Sequence, residues 1–417
     1  MTKQIQVKNG KITAVQAKDV THSGGRGEPF HDWFPYLEGY SSQFVKQIID
    51  AKFENPKNLL EPFCGVGTTP IALAQLGISC GYTEVNPFLV ELVSLKTICL
   101  RMKPSGRIKA AETIQTLKQL IRNDSNTAKS DTLLKTSYSG VFGVVEYFRE
   151  NSFKQILRLK TLERKLECDL SKRFMRIAVS TSLLEASLLR RAGDVRFKTE
   201  KELLKPIPDI LELVTEKLSL IQSDLNLNGL PNEQEIVFLG ANAKQLHTDA
   251  MPSFDGVITS PPYLNGTNYI RNMKLELWYL GFLNSKVDLQ KFRQAVVTSA
   301  INDVSRASGL VVLDEARDVV EAISQDCYDK RIPKMVAGYF EHMKIVAEGI
   351  WGQVRSGSPV CIDIGDSIYG GVHVPTHSVL AAVFESVGFK LEDETVLRKR
   401  HSNRGAELSQ RLLVFRK

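Results

Sequence analysis

Short apolar segments alternate with helical stretches along much of this 417-residue chain, and no other feature restricts its fold as strongly. Strands that alternate with helices predict the α/β class, a mostly parallel sheet that is covered by helices on both faces. The seven predicted strands cover residues 58–62, 79–84, 235–239, 256–259, 359–364, 390–398 and 411–415.

The connections between these strands predict how the strands pair. Residues 69–76 form a helical stretch that Gly77 closes, and a second helix is predicted over 87–102, so the chain has a βαβ unit here. Only HSNRGAELSQ joins the last two strands, which are therefore expected to form an antiparallel hairpin at the end of the sheet.

Two long segments interrupt the alternation. Residues 103–230 show only helical periodicity and no strand is predicted among them, so they are interpreted as a helical insertion. Residues 284–335 are interpreted as a second, shorter helical insertion. The core of the protein then has an N-terminal part, residues 1–102, and a C-terminal part, residues 231–417.

The cysteines and the apolar runs exclude several classes of protein. Six cysteines lie far apart with no CxxC pair and no His-rich cluster, so neither a disulfide framework nor a metal site is predicted. No apolar run reaches the roughly 18 residues of a membrane span. The first residues, MTKQIQVKNGKITAVQ, lack the apolar core of a signal peptide. A cytoplasmic protein is expected.

Charge is distributed unevenly along the chain. The formal net charge is +7, but residues 101–200 contain 21 Lys and Arg against 11 Asp and Glu, and residues 398–417 contain 7 against 1. The rest of the chain is therefore net negative. Clustered positive charge indicates a surface for a polyanion, although solvated helix faces produce the same pattern.

A glycine-rich turn follows the first predicted strand. Residues 59–69 read LLEPFCGVGTT, where Gly65 and Gly67 allow positive φ and a close approach of the backbone to a ligand, just before a helix with free N–H groups. No Lys-Ser/Thr pair follows, which disfavours a triphosphate-binding loop. The turn predicts a cofactor site, and tight packing is the alternative.

Glu84 lies at the tip of the second predicted strand, 19 residues after Gly65. A carboxylate in this position is suited to accept hydrogen bonds from two ribose hydroxyls. The alternative is that Glu84 only offsets the dipole of the helix that follows.

A second motif ends the fourth predicted strand, where FDGVITSPPY places Ser260, Pro261, Pro262 and Tyr263. Two prolines fix φ and remove two N–H donors, so this corner presents a hydroxyl and carbonyls as acceptors. An exocyclic amine needs such acceptors, because its lone pair is delocalised into the base ring until its N–H groups are held. Tyr263 offers a flat face for a base outside its stack. An ordinary edge turn or cis-proline turn is the alternative.

Together, EPFCGVGTT, TEVNP and TSPPY resemble the S-adenosyl-L-methionine-dependent DNA amino-methyltransferases, which methylate the N4 amine of cytosine or the N6 amine of adenine. The resemblance covers roughly residues 25–100 and 232–417, and not the inserted helices. It implies a Rossmann-like seven-stranded methyltransferase sheet, S-adenosylmethionine as the cofactor and double-stranded DNA as the partner.

The resemblance also implies roles for individual residues. It puts the methionine part of the cofactor on the glycine-rich turn and the ribose on Glu84, while FHDWFPYLEGYSSQFVKQII resembles a segment that lines the same pocket. Asn242, in GANAKQL, stands where the family often has an Asp that contacts the adenine ring. The implied cofactor-binding residues are Glu61, Pro62, Phe63, Gly65, Gly67, Thr68, Glu84, Asn86, Asn242, Phe34 and Pro35, with Trp33 and His31 as further candidates.

The first residue of the second motif indicates the target base. Most adenine enzymes of the family have Asp there and most cytosine-N4 enzymes have Ser, so Ser260 favours cytosine N4, with adenine N6 as the alternative. The cytosine-C5 methyltransferases are excluded, because their nucleophile lies in a Pro-Cys pair and this chain contains no such pair.

The insertion is the natural candidate for target recognition, which the family usually places between its core motifs. KRFMR at 172–176 and RRAGDVRFK at 190–198 mix basic and aromatic residues suited to phosphates, and the RKRHSNRG turn is a second candidate. A solvated helix end is the alternative. The predicted DNA-binding residues are Arg190, Arg191, Arg196, Lys198, Asn268 and Arg271, and Asn265 and Tyr269 are predicted beside the flipped base.

These patterns predict the modification enzyme of a bacterial or archaeal restriction-modification system, associated with the nucleoid and matched by a cognate restriction endonuclease. Direct transfer to cytosine N4 is expected, with no covalent intermediate and no metal. An RNA amino-methyltransferase is disfavoured because neither terminus resembles an RNA-binding module. A catalytically idle relative is disfavoured because the glycine-rich turn, Glu84 and the SPPY motif are intact.

Overall fold

The computed structural model describes residues 17–36, 38–226, 234–246, 253–265, 267–304, 311–401 and 405–417. The start of the chain, the end of the insertion at 227–230 and residues 402–404 of the last hairpin turn lie outside the described residues.

The described residues form strands and helices in alternation, interrupted by the insertion. The strands are β1 Asn58–Glu61, β2 Ser79–Thr83, β3 Leu189–Ala192, β4 Asp194–Phe197, β5 Ile236–Gly240, β6 Val257–Thr259, β7 Pro359–Gly365, β8 Ser367–Tyr369, β9 Val372–Val374, β10 Lys390–His401 and β11 Glu407–Arg416. The helices are α1 Ser42–Lys52, α2 Thr68–Gln75, α3 Pro87–Arg101, α4 Pro104–Asp124, α5 Thr132–Phe142, α6 Glu150–Lys165, α7 Asp169–Ser182, α8 Glu200–Leu203, α9 Ile210–Leu225, α10 Lys274–Tyr279, α11 Asp288–Ala295, α12 Arg317–Asp326, α13 Arg331–Gln353 and α14 Thr376–Val387.

The seven predicted strands pair into one sheet, in the order β10-β11-β7-β6-β1-β2-β5. The pairs β5–β2, β2–β1, β1–β6 and β6–β7 are parallel, and β11 is antiparallel to both β7 and β10. The predicted α/β, Rossmann-like sheet with an antiparallel last hairpin is therefore confirmed, as is the βαβ unit of β1, α2 and β2.

The insertion contains a β-hairpin, which corrects the expectation that it is wholly helical. Strands β3 and β4 pair antiparallel around Gly193, whose φ is +81°. Each strand has four residues, and only Leu189 and Val195 are buried in them, so the apolar pattern is too short to reveal a strand. A second small hairpin, β8–β9, follows β7.

The insertion shares its hydrophobic core with the N-terminal part of the sheet domain. Phe88 and Leu92 of α3 belong to the same buried cluster as Ile114 of α4 and Phe174 of α7. A second cluster packs α13 and α14 against the β6 and β7 side of the sheet. The insertion therefore packs against the part of the sheet domain that carries the glycine-rich turn, and it is not a separate unit on a linker.

The described residues contain no helix long and apolar enough to cross a membrane. All six cysteines are free thiols, and Cys64, Cys80, Cys99 and Cys361 are buried.

Gly67 begins α2 under two separate constraints. Its φ is +86°, and a Cβ there would lie 2.8 Å from a methyl carbon of Val93. Gly193 has nearly the same φ, +81°, and nothing within 4 Å of its Cβ position. The first glycine thus has a packing constraint that the second one lacks.

We expect Gly67→Ala to lower the free energy of unfolding more than Gly193→Ala. The positive φ costs about 1–2 kcal/mol in each variant, and the overlap with Val93 adds about 1–3 kcal/mol in Gly67→Ala. Urea unfolding measures both values. Equal losses in the two variants would contradict the packing constraint.

Candidate active site

The order of the strands creates a cleft between β1 and β6. From β1 the chain builds β2 and β5 on one side and β6 and β7 on the other, so the direction of winding reverses at this boundary. In parallel α/β sheets, ligands bind beyond the carboxyl ends of the strands at such a point. A cavity opens there. The predicted residues that line it are Glu61, Pro62, Phe63, Gly65, Thr68, Glu84, Asn86, Asn242, Ser260, Pro261, Pro262, Tyr263, Asn268 and Tyr269.

Glu61, the last residue of β1, has a buried carboxylate with three hydrogen-bond donors. Its Oε1 accepts hydrogen bonds from the Phe63 N–H at 3.0 Å and from the Thr259 hydroxyl, and its Oε2 accepts one from the Tyr40 hydroxyl at 3.1 Å. Burial raises the pKa of Glu61 to about 7, against the lowering effect of these donors. Burial thus makes the Glu61 carboxylate easier to protonate than an exposed one.

Glu84 follows β2 and ties that strand to the glycine-rich turn. Its Oε2 accepts a hydrogen bond from the Gly65 N–H at 2.7 Å, and its Oε1 accepts one from the Asn86 N–H at 2.8 Å. Burial raises the pKa of Glu84 to about 7, while the two N–H groups lower it. Asn86 in turn caps α3 by accepting a hydrogen bond from the Phe88 N–H at 3.0 Å.

The cavity wall is acidic. Four carboxylate side chains, those of Glu38, Glu61, Glu84 and Asp303, line it, and none of the described lining residues is Lys or Arg. An unbalanced cluster of carboxylates favours a cationic ligand, because a cation lowers the free energy of the ionised side chains. The charge of the cavity thus selects for positively charged groups and against free phosphates.

Ser260 and Pro261 follow β6 and line the same cavity. Within the part of the chain that the structure describes, no residue forms a hydrogen bond with the Ser260 hydroxyl or donates one to the Pro261 carbonyl. Both oxygens are therefore available as acceptors for a ligand, as the two prolines predict.

Tyr263 is held at its hydroxyl end. Its hydroxyl donates a hydrogen bond to Asp363 Oδ2 at 3.0 Å and accepts one from Gln410 Nε2 at 2.9 Å. Burial raises the pKa of Asp363 to about 7, while the donors Gln410 and Tyr263 lower it. A Cβ on Gly365 would lie 3.3 Å from the tyrosine ring, so the ring packs directly on β7. Tyr263 is thus a fixed flat surface at the edge of the cavity.

The sequence did not predict several of the residues that line the cavity. Glu38 accepts a hydrogen bond from the Tyr269 hydroxyl, which itself accepts one from the Tyr263 N–H at 3.2 Å. Glu38 thereby links the segment before α1 to the SPPY corner. The segment FHDWFPYLEGY does contribute to the cavity, but through its second half. The residues missed are Tyr36, Glu38, Tyr40 and Asp303.

The first half of the segment FHDWFPYLEGY packs behind the residues that line the cavity. Phe34 is 1% exposed, with its ring 4.9 Å from that of Phe88, and Trp33 donates its indole N–H to Asp224 at 2.7 Å. Both side chains stabilise the core, which corrects the expectation that Phe34 contacts the cofactor. The predicted cofactor residues that do not line the cavity are Phe34, Pro35 and Gly67, together with Trp33 and His31.

His31 and Pro35 have other environments. The His31 ring stacks on His22 at 4.0 Å between centroids, and its Nε2 hydrogen-bonds with the His22 carbonyl oxygen. Burial lowers the pKa of both histidines, so both rings are neutral at pH 7. Pro35 is exposed, and its carbonyl accepts a hydrogen bond from Arg191 at 3.4 Å.

The predicted DNA-binding residues of the insertion lie on the β3–β4 hairpin or next to it, in two different settings. Arg190 and Arg196 are exposed and pair with Glu202. Lys198 is partly buried and donates hydrogen bonds to the backbone carbonyl oxygens of Ser187 and Glu185. The exposed arginines remain candidates for a DNA-facing surface.

Arg191 faces inward, which corrects the prediction that it faces DNA. Its side chain is 9% exposed, and it donates hydrogen bonds to the Asn272 carbonyl at 2.9 Å and to Glu276 at 3.3 Å. Next to it, Arg271 pairs with Asp194 at 3.2 Å. These contacts dock the hairpin onto the chain that follows β6, close to the cavity. Asn268 lies inside, where it donates a hydrogen bond to Asp303 at 2.9 Å.

Comparisons with known proteins find two Type II methyltransferases as relatives. No family model matches the chain. A Type II methyltransferase, M.AvaI, from Nostoc sp. and from Anabaena variabilis is 26% identical over 92% of this chain and 84% of the relative. The Type II methyltransferase M.BsoBI of Geobacillus stearothermophilus is 23% identical over 94% of this chain and 85% of the relative. Among solved structures, an rRNA methyltransferase, aviRa, from Streptomyces viridochromogenes has a TM-score of 0.30 at 8% identity, with coverage of 91% of this chain and 87% of that one.

The likeness to the Type II enzymes covers more than nine-tenths of this chain. It implies S-adenosylmethionine as the methyl donor and supports a methyltransferase of this class.

Proposed function

We propose that this chain is a site-specific DNA methyltransferase that transfers a methyl group from S-adenosylmethionine to the N4 amine of cytosine in duplex DNA. The observation that carries the proposal is that an acceptor corner, at Ser260, and two buried carboxylates, Glu61 and Glu84, line one cavity. The Type II relatives support a role as the modification enzyme of a restriction-modification system. The cognate restriction endonuclease would be a functional partner, and the methyltransferase would act in the cytoplasm.

The cavity suits S-adenosylmethionine in charge and shape. This cofactor carries a positive sulfonium and an ammonium beside a ribose and an adenine, and it supplies an electrophilic methyl group. Glu84 would accept hydrogen bonds from the ribose hydroxyls, since two N–H donors leave lone pairs on its oxygens. Glu61 would attract the cationic end. The other residues proposed to hold the cofactor are Pro62, Phe63, Gly65, Thr68, Asn86 and Asn242.

The SPPY corner would prepare the target amine. The Ser260 hydroxyl and the Pro261 carbonyl accept its two N–H groups, which draws the nitrogen lone pair out of conjugation with the ring and towards the methyl group. Tyr263 supports the face of the base, and its anchoring by Asp363 and Gln410 keeps that surface in place. In the direct transfer, the amine nitrogen bonds to the methyl carbon as the bond from that carbon to the sulfonium sulfur breaks, and the nitrogen then loses one proton to solvent. Positioning and hydrogen bonding supply the rate enhancement, so the transfer needs no covalent intermediate and no metal.

A base in a duplex must leave its stack to reach this cavity. Asn268 and Tyr269 line the cavity and support a pocket for the extruded base. Outside it, Arg190, Arg196 and Arg271 support a phosphate-facing surface. Their partners in the free protein are Glu202, which is partly exposed, and Asp194. The arginines themselves are exposed, and ion pairs of exposed side chains contribute only about 0–1 kcal/mol, so phosphates can replace them.

Adenine N6 is the second candidate, because the same acceptors suit that amine. Ser260 at the head of the motif favours cytosine, and the lining of the cavity does not decide between the two bases. An RNA substrate is a more distant alternative, which the Type II relatives disfavour.

We expect nucleosides from DNA treated with the protein and S-adenosylmethionine to contain N4-methylcytosine and no N6-methyladenine by mass spectrometry. Ser260→Ala should lower kcat about tenfold to a hundredfold through loss of one hydrogen bond to the amine, and should leave cofactor affinity unchanged. Ser253→Ala, at an exposed position before β6, is the matched control. N6-methyladenine alone would contradict the choice of base, and full activity of Ser260→Ala would contradict the site.

We expect the affinity for S-adenosylmethionine to fall as the pH is lowered. The carboxyl pKa values of Glu61 and Glu84 are both about 7, so protons compete with the cationic ligand below neutrality. Between pH 8 and pH 6 the affinity should fall roughly tenfold to a hundredfold. Isothermal titration calorimetry measures this change. Glu84→Gln should bind more weakly at pH 8 and depend less on pH, whereas an affinity independent of pH in the unaltered protein would contradict the role of both carboxylates.

A further inference from the structure

The last hairpin brings one end of β10 to the carboxyl edge of the sheet. Because β11 is antiparallel to β7 and β10 is antiparallel to β11, β10 runs in the same direction as β7. Its final residues, from Arg398 to His401, therefore lie at the edge where the cavity opens. This placement follows from the pairing alone.

The register puts Arg398 on the same face of the sheet as the Tyr263 ring. Arg398 pairs with Gln410, and Gln410 pairs with Gly365. Residues directly opposite in antiparallel strands project to the same face. Gln410 holds the Tyr263 hydroxyl, and Gly365 lies directly against the Tyr263 ring. Arg398 also lowers the pKa of Asp363 and of Tyr263 by its charge, so its guanidinium is near both.

Arg398 forms no ion pair and no side-chain hydrogen bond with the described residues, although its charge acts on Asp363 and Tyr263 at longer range. Its Nε is buried without a hydrogen bond, and no ion pair joins its guanidinium to a carboxylate in that part of the chain. Its neighbours differ: Lys399 is exposed and pairs with Glu407 at 2.8 Å, and Arg400 donates a hydrogen bond to the Asp366 carbonyl at 3.1 Å. A partly buried guanidinium without an ion pair is costly, and an anionic ligand would offset this cost.

Asp363 does not fill this role. It already accepts hydrogen bonds from Tyr263 and Gln410, and it lies beyond ion-pair distance of Arg398. Burial raises the pKa of Asp363 to about 7, so the neutral form is well populated at physiological pH. No carboxylate of the described residues therefore forms an ion pair with Arg398, and its guanidinium is available to an anion from outside the chain.

We propose that Arg398 binds the DNA-backbone phosphate of the target nucleotide, beside the Tyr263 ring that supports its base. This assignment rests on the proposed DNA methylation. A guanidinium suits a phosphate, because its donors form a planar fork that two phosphate oxygens can accept. The contact would form only when the base has left its stack, so it would stabilise the extruded nucleotide.

The test compares Arg398→Gln with Lys399→Gln, which removes an adjacent charge on the opposite face of β10. DNA affinity is measured by fluorescence anisotropy over a range of salt concentrations, with a non-transferable cofactor analogue and a duplex that the unaltered protein methylates. Arg398→Gln should bind DNA about tenfold more weakly and lower the salt slope by about one. Lys399→Gln should change the affinity less than about twofold, because exposed ion pairs contribute little.

A second measurement separates the phosphate contact from a structural role. In duplexes with one neutral methylphosphonate, the unaltered protein should lose about tenfold in affinity when the target phosphate is neutral, and Arg398→Gln should lose nothing further. Arg398→Lys should recover part of the affinity, since it keeps the charge. Additive losses, or an unchanged salt slope in Arg398→Gln, would overturn the assignment. No methyl transfer to DNA by the unaltered protein would instead overturn the proposed function.

Discussion

The buried carboxylate of Glu61 holds the two halves of the site together. It accepts hydrogen bonds from Thr259, the residue before Ser260, from the backbone of the glycine-rich turn at Phe63, and from Tyr40 before α1. A buried carboxylate is tolerated only with such donors, and each hydrogen bond to a charged group contributes about 1.5–3 kcal/mol. The side chain of Glu61 therefore fixes the position of the glycine-rich turn relative to the SPPY corner. The SPPY corner can act on an amine only if the methyl donor lies in that relation to it.

The sequence predicts the sheet and the residues at the ends of its strands. Strand β7 has seven buried residues in a row, so its sequence is mostly apolar and predicts a buried strand without knowledge of the tertiary contacts. Glu84 and Ser260 were predicted because each one follows a strand, and parallel strands bring their carboxyl ends to one edge. The role of Glu61 was implied by the family resemblance. Site residues at the ends of strands can therefore be predicted from the order of the strands and from the residue types at their ends.

Which side chains face the cavity or the solvent depends on packing between distant segments, and the sequence alone does not predict it. Phe34 and Tyr36 lie two residues apart in an aromatic run with no clear period, so which of them faces the cavity depends on the partners, Phe88 on one side and the glycine-rich turn on the other. Arg191 and Arg190 are adjacent in sequence, yet the pleat of β3 turns one towards Glu276 and the other towards solvent. The isolation of Arg398 depends on the register of three strands, which composition does not specify.

The central claim is that one cavity holds a cationic methyl donor and an exocyclic amine against the acceptors of the SPPY corner. A crystal structure of the protein with a non-transferable cofactor analogue and its DNA substrate measures this most directly. The account predicts an extruded cytosine with its N4 within hydrogen-bond distance of the Ser260 hydroxyl and the Pro261 carbonyl, its ring against Tyr263, and the ribose of the analogue on Glu84. A target base bound elsewhere, or a cofactor away from Glu61 and Glu84, would contradict it.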